Sequence, residues 1–177
     1  MASAFGHALA AFAIGKSIAF EKQNWKFWTV GIVCSILPDA DVVSFAFGIP
    51  YLDMWGHRGV THSIFFATIL SLSFTFIFFK SSSKKVFVFS YLFFATVSHG
   101  VLDAMTSGGE GVAFFAPFEN SRYFFPWRGI KVSPIGISNF FSEWGLKVVK
   151  SELIWIGIPS LALLCLGTGI QKFQKKH

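Results

Sequence analysis

Residues 86–106 of the chain read VFVFSYLFFATVSHGVLDAMT, an apolar stretch with a histidine and an aspartate close to its end. The stretch is long enough for a membrane-spanning helix, which needs about 20 residues. His99 and Asp103 are four residues apart, so on a helix they project from one face, one turn apart. Because ionisable groups at membrane depth are costly, such a pair marks a candidate functional site.

The composition of the whole chain also favours a membrane protein. Of its 177 residues, 53% are hydrophobic and only 14% are charged, whereas soluble domains carry about 25% charged residues. A soluble protein of this size would lack the polar residues needed to cover so much apolar surface. The net charge of +6 comes largely from lysines beside the apolar stretches. We therefore expect membrane lipids, and not nucleic acid, as its partners.

Four further stretches are apolar enough to lie in a bilayer: residues 2–20, 27–48, 61–79 and 152–170. Pro38 lies inside the second stretch and should end or kink its helix. Residues 107–150 form a longer, more polar connection, which predicts a folded cap or interfacial loop on the membrane surface. The sequence thus predicts a single all-α domain over residues 1–177, a polytopic membrane helical bundle of about four to five spans.

The lysines also predict an orientation, since short lysine-rich loops stay on the cytoplasmic side of a membrane. The lysines beside the spans are Lys22, Lys26, Lys80, Lys84, Lys85, Lys172, Lys175 and Lys176. When these are placed inside, the N-terminus and the 107–150 connection lie outside.

Seven ionisable residues fall at matching ends of the predicted spans. They are His7 at the start of the first, Asp39 and Asp41 at the break in the second, His57 and His62 at the beginning of the third, and His99 and Asp103 at the end of the fourth. Because successive spans alternate in direction, all seven lie at the same membrane face. Imidazole and carboxylate groups without cysteine are typical of sites for Zn²⁺, Mn²⁺ or Fe²⁺. The sequence therefore predicts a metal site at that face, which the lysine rule makes the outer one.

Further residues are candidates for catalytic roles. Asp41 is expected to act as a general base or to orient a histidine ligand. Arg58 and Arg122 are expected either to hold phosphate oxygens, whose geometry a guanidinium matches, or to anchor the chain at the interface. Glu119 and Glu143 are additional candidates for ligands or bases.

The turn before the third stretch needs a particular geometry. His57 and His62 are five residues apart, so they would diverge on an ideal helix. We therefore expect His57 on the preceding turn, His62 in the first helical turn and Thr61 near the helix cap.

Simpler structural roles remain open for the ligand candidates. They are an interfacial histidine for His7, a helix cap for Asp39, a headgroup-level turn for His57 and a buried hydrogen-bonded pair for His99 with Asp103.

Five motifs together resemble a known family: GHALAAFAIG, LPDAD, GHRGVTHS, SHGVLDAMT and PFENSRYFFPW, between residues 4 and 135. They resemble the LexA-regulated, membrane-bound metal-dependent hydrolase family (YdjM-type). The resemblance implies a hydrolase in a bacterial or archaeal inner membrane.

The same family is distantly similar to zinc-dependent phospholipase C and the related single-strand nucleases. By that similarity, His99 and Asp103 match a His-x-x-x-Asp pair on a helix, and His7, Asp39, His57 and His62 match the family's other motif positions. The chain lacks the second His-x-x-x-Glu pair of the phospholipases, so one or two metal ions are expected instead of three.

We therefore expect hydrolysis of a phosphoester in a lipid or lipid-linked substrate by a metal-activated water. Three alternatives remain open. One is an intramembrane metalloprotease, although the chain has no H-E-x-x-H motif. The others are a metal transporter, whose ligands would lie near the membrane midplane, and a non-catalytic protein with a structural metal.

Overall fold

The computed structural model describes residues 1–19 and 22–174, and within them the fold is all-α, as predicted. Its helices are α1 (Ala4–Ile18), α2 (Trp25–Ile36), α3 (Ile64–Phe78), α4 (Lys85–Ala104), α5 (Ile137–Phe140), α6 (Glu143–Glu152) and α7 (Ile158–Gln174). A π-helical turn, Leu153–Gly157, joins α6 to α7. The orientation argument also used Lys175 and Lys176, which lie outside the described residues.

Three helical segments among the described residues are long and apolar enough to cross a membrane. They are Trp25–Phe47, Lys85–Ala104 and Glu143–Gln174. The helices α1 and α3 are apolar but shorter. Helix α6 continues through the π turn into α7, so the last apolar segment begins earlier than the predicted stretch at 152–170.

The break predicted at Pro38 is confirmed. Helix α2 ends at Ile36, and a 3-10 helix, Leu37–Phe47, follows with Pro38 near its start. Proline lacks an amide hydrogen and fits the first turn of a helix better than its interior. The change of geometry buries both Asp39 and Asp41.

Helix α3 begins later than the sequence suggested. Ser63 caps it, with its hydroxyl accepting a bond from the Phe66 amide at 3.0 Å. His62 is therefore the last residue of a 3-10 turn, Val60–His62, and not part of the first helical turn. Thr61 lies two residues before the cap, near it as expected, and its hydroxyl donates to Asp41 Oδ2 at 2.6 Å.

The 107–150 connection is folded, although its last residues, 143–150, belong to α6; its place on the membrane surface stays a prediction. Isolated backbone bridges pair Val112 with Tyr123 and Thr106 with Ile130. Val112, Thr106 and Ile130 are fully buried. These contacts hold the connection against the end of α4, which is the end that carries His99.

The centre of the bundle depends on close contact between helices. Tyr91 of α4 is fully buried and stacks on Phe27 of α2, with ring centroids 4.3 Å apart. Its ring also lies against Gly15 of α1 and Gly31 of α2, where an added methyl group would overlap it. Small residues at such positions let membrane helices approach one another closely.

We predict that Gly31→Ala lowers the free energy of unfolding by about 1–3 kcal/mol, because overpacking a filled core forces neighbours to move. Thermal unfolding of the purified protein in detergent measures the effect. Gly169→Ala in α7 is the matched control, since among the described residues no heavy atom beyond its chain neighbours and its own helix backbone lies within 4 Å of the added methyl group. Equal effects of the two substitutions would contradict the packing argument.

Candidate metal centre

The structure brings four of the six predicted metal ligands into one group, here called the central cluster. The group consists of Asp39, His62, His99 and Asp103, whose ligand atoms all lie within 4.8 Å of one another. Asp39 Oδ1 is 3.3 Å from His99 Nε2 and 3.6 Å from His62 Nε2. Asp103 Oδ2 is 3.4 Å from His62 Nε2 and 3.9 Å from His99 Nε2. All four residues are buried.

Hydrogen bonds fix the orientation of both histidines in the central cluster. His99 Nδ1 donates to the Ser35 carbonyl oxygen at 2.7 Å, and a carbonyl can only accept. His62 Nδ1 donates to the Thr61 hydroxyl oxygen at 3.0 Å, since the hydrogen of that hydroxyl is directed to Asp41, and it also lies 3.2 Å from Asp41 Oδ2. With Nδ1 protonated in each neutral ring, both Nε2 atoms present lone pairs, and these atoms are 2.9 Å apart. Two facing lone pairs at that distance repel unless a proton or a metal ion lies between them.

Both carboxylate oxygens of Asp41 accept hydrogen bonds. His57 Nδ1 donates to its Oδ1 at 2.6 Å. Its Oδ2 accepts from the Thr61 hydroxyl at 2.6 Å and from the Arg58 amide at 3.0 Å. The same Oδ2 lies 3.2 Å from Nδ1 of His62, a candidate ligand, and a carboxylate in this position orients the histidine ring. The geometry matches that role, and a role as general base stays a prediction.

His7 and His57 lie beside the central cluster. The ring of His7, from α1, stacks on that of His99 with centroids 3.8 Å apart. Its Nε2 is 3.4 Å from Asp103 Oδ1. His57 is connected through Asp41, with which it forms a second group of possible ligands that shares His62. Both histidines are therefore close enough to serve a second ion, and their role as ligands stays a prediction.

Several buried polar atoms at this site have no hydrogen-bond partner. They are both ring nitrogens of His7, both carboxylate oxygens of Asp39 and Oδ2 of Asp103. Buried polar groups are normally paired, and a buried carboxylate needs a counter-charge. Asp103 has one in the Arg58 guanidinium, whereas the ion pairs of Asp39 among the described residues are with histidines. Nitrogen and oxygen donors without a thiolate suit a divalent metal ion. The residues present therefore fit a bound divalent cation.

Arg58 is turned inward and fully buried. Its Nε is 3.1 Å from Asp103 Oδ2, and its terminal nitrogens donate to the Gly108 carbonyl and the Thr106 hydroxyl, each at 3.1 Å. Its backbone φ of 62° is uncommon for a residue other than glycine. Arg58 thus supports Asp103 at the end of α4, while its role in holding phosphate stays a prediction.

Arg122 binds the loop that carries His57. Its guanidinium donates to the backbone carbonyls of His57 and Tyr51, each at 2.8 Å, and of Asp53 at 3.0 Å. It also lies 5.4 Å from the centre of the Tyr51 ring. Burial lowers the pKa of Arg122 and raises the pKa of Tyr51 from their ordinary values. This arrangement anchors the loop, and a direct contact with phosphate stays a prediction.

Glu119 and Glu143 were further candidates from the sequence, whereas Glu152 was not. Glu119 and Glu143 are exposed and belong to neither group of possible ligands among the described residues. Glu152, which sequence reasoning missed, is buried and accepts bonds from the Ser3 amide at 2.5 Å and the Ser3 hydroxyl at 2.6 Å. Its position at the start of an apolar stretch was the available signal. No signal in the sequence pointed to the Ser35 carbonyl, since every residue has a backbone carbonyl.

Comparison with known proteins agrees with the motifs. The chain is 36% identical over 167 residues to inner membrane protein YbcI of Escherichia coli (strain K12), and the match covers 93% of this chain and 95% of that protein. No solved structure matches the chain. The model of the family described as YdjM inner membrane protein matches residues 1–176. The chain therefore belongs to the YdjM inner membrane protein family, and it carries a buried histidine and aspartate cluster that could hold a metal ion.

Proposed function

We propose that this protein is a membrane-bound, metal-dependent hydrolase that cleaves a phosphoester of a lipid or lipid-linked substrate. The observation that carries the proposal is the central cluster. In it, two Nε2 atoms lie 2.9 Å apart beside carboxylate oxygens that have no hydrogen-bond partner. Such a set of donors supports binding of a divalent ion, with Zn²⁺ as the first candidate and Mn²⁺ or Fe²⁺ as alternatives.

Different residues would bind the metal ions and position the ligands. The central cluster would hold one ion, and His7 with the second oxygens of Asp39 and Asp103 would offer a place for another. A divalent ion lowers the pKa of a bound water and neutralises charge on phosphoryl oxygens. Asp41 would keep the His62 ring aligned, and Arg58 would keep Asp103 at the site.

The lipid substrate is supported by the surroundings of the cluster. Phe47 is 78% exposed and ends the 3-10 helix that carries Asp39, while Trp55 is 61% exposed and precedes His57 by two residues. Exposed aromatic side chains are enriched at the membrane–water interface. A lipid at this depth could present its phosphate to the cluster while its acyl chains stay in the bilayer.

A structural metal site is the second candidate, and burial favours it. Asp39 is the most exposed member of the central cluster, and only 7% of its surface is accessible. Four protein ligands would also complete a tetrahedral site, which is typical of structural zinc. Measurements of bound metal and of hydrolysis together separate the two functions.

We predict that His99→Ala and Asp103→Ala each remove most of the bound metal, because each deletes a ligand of the central cluster. Elemental analysis of the purified protein by mass spectrometry measures the metal, and circular dichroism checks that the helices persist. Glu143→Gln is the matched control, since this exposed acid lies outside both ligand groups. Unchanged metal content in both folded alanine variants would refute the site.

Asp41→Asn is expected to weaken metal binding by about 10–100-fold without abolishing it, as is typical of groups that orient a ligand. Competition with a chelator of known affinity measures the change. Thr61→Val, which deletes one donor to Asp41, should have a smaller effect in the same direction. If Asp41→Asn leaves the affinity unchanged, His62 does not depend on this carboxylate.

Metal-loaded protein in mixed micelles is expected to release the product of phosphoester cleavage from a phospholipid or a lipid phosphate. Asp103→Ala should reduce this release to background, while Glu143→Gln should retain it. Mass spectrometry of the extracted lipids detects the products. Cleavage of a peptide with all lipids intact would contradict the proposal, and a metal-loaded protein without hydrolysis would favour the structural site.

A further inference from the structure

A polar cavity lies at the opposite end of the bundle from the metal centre, where α2 begins and α3 ends. Its volume is about 540 Å³. Its polar lining consists of Gln23, Asn24, Lys26, Lys80, Ser81 and Ser82. Two ammonium groups with amide and hydroxyl donors around one cavity suit an anionic ligand rich in oxygen atoms.

The charged side chains that line this cavity among the described residues are both lysines, Lys26 and Lys80. Glu21, which precedes the first lining segment in the sequence, lies outside the described residues. Lys26 is half-buried, and its Nζ lies 5.7 Å and 5.5 Å from the ring centroids of Phe78 and Phe79. The aromatic rings hold this ammonium at the boundary between the polar cavity and the apolar surface.

An apolar groove continues from the same place along the outside of α2 and α3. Its volume is about 480 Å³, and its lining consists of Trp25, Lys26, Thr29, Val30, Val33, Phe74 and Phe78. Lys26 and Phe78 line both the groove and the polar cavity. A positively charged cavity is thus joined directly to an apolar groove on the surface of a membrane bundle.

We propose that the polar cavity and the apolar groove together bind one anionic phospholipid. The phosphate would lie between Lys26 and Lys80, and an acyl chain would follow the groove towards Val33 and Phe74. A free phosphate would use only the first cavity, whereas an amphiphile uses both. Lysines beside a membrane attract anionic headgroups. This lipid site lies apart from the metal centre and does not depend on the proposed hydrolase activity.

The test is binding of a fluorescent phosphatidylglycerol to the purified protein in detergent, compared with phosphatidylcholine. Wild-type protein should prefer the anionic lipid. Each of Lys26→Gln and Lys80→Gln should weaken its binding about fivefold, since a lysine near anionic lipid contributes about 1 kcal/mol. Lys147→Gln with Lys150→Gln is the control, because both exposed lysines lie on α6, outside the cavity. This double variant should bind the lipid as tightly as the wild type.

A second variant separates a lipid from a free anion. Val33→Trp fills the groove at a residue that is 43% exposed. It should weaken binding of the phospholipid while leaving competition by inorganic phosphate unchanged. Equal binding of the two lipids by the wild type, or unchanged binding by both lysine variants, would overturn the proposal. So would a groove variant that binds the lipid normally, since the site would then recognise phosphate alone.

Discussion

The buried carboxylate of Asp103 holds together the end of the bundle that carries the central cluster. Its Oδ1 accepts the Ala2 amide at 2.7 Å and lies 3.4 Å from His7 Nε2. Its Oδ2 faces Arg58 Nε at 3.1 Å and His62 Nε2 at 3.4 Å. A fully buried charge is tolerated only where opposite charge and hydrogen bonds compensate it. The segment before α1, the loop before α3 and the end of α4 therefore have to meet at this group.

The candidate metal centre depends on the hydrogen-bond partners of its histidines as well as on the possible ligands themselves. The Ser35 carbonyl and the Asp41 carboxylate turn the rings of His99 and His62 so that both Nε2 atoms face inward. Partners of this kind set the tautomer and raise the basicity of a ligand histidine. A bundle with the same ligands but without these partners would leave the rings free to rotate out of the site.

The two ends of the bundle have opposite chemistry, and the packing between them keeps the ends in register. Tyr91 fills the middle of the bundle against Gly15 and Gly31, where no larger residue fits. The carboxylates and imidazoles lie at one end of these helices, while Lys26 and Lys80 line the cavity at the other. Close helix contact at the centre thus fixes the relative positions of two chemically different groups of side chains.

The order of the apolar stretches determined which residues share an end of the bundle. Successive spans alternate in direction, so the starts of odd-numbered spans and the ends of even-numbered spans lie at one face. The sequence by itself therefore predicted the all-α bundle, the break at Pro38 and the grouping of His99 with its neighbours. Only the tertiary structure decided how the turn residues point. Arg122 binds the carbonyl of His57, 65 residues earlier in the chain, and Arg58 turns inward to Asp103. Periodicity fixes the face and end of a helical residue, whereas a turn residue points towards whichever distant partner satisfies its hydrogen bonds.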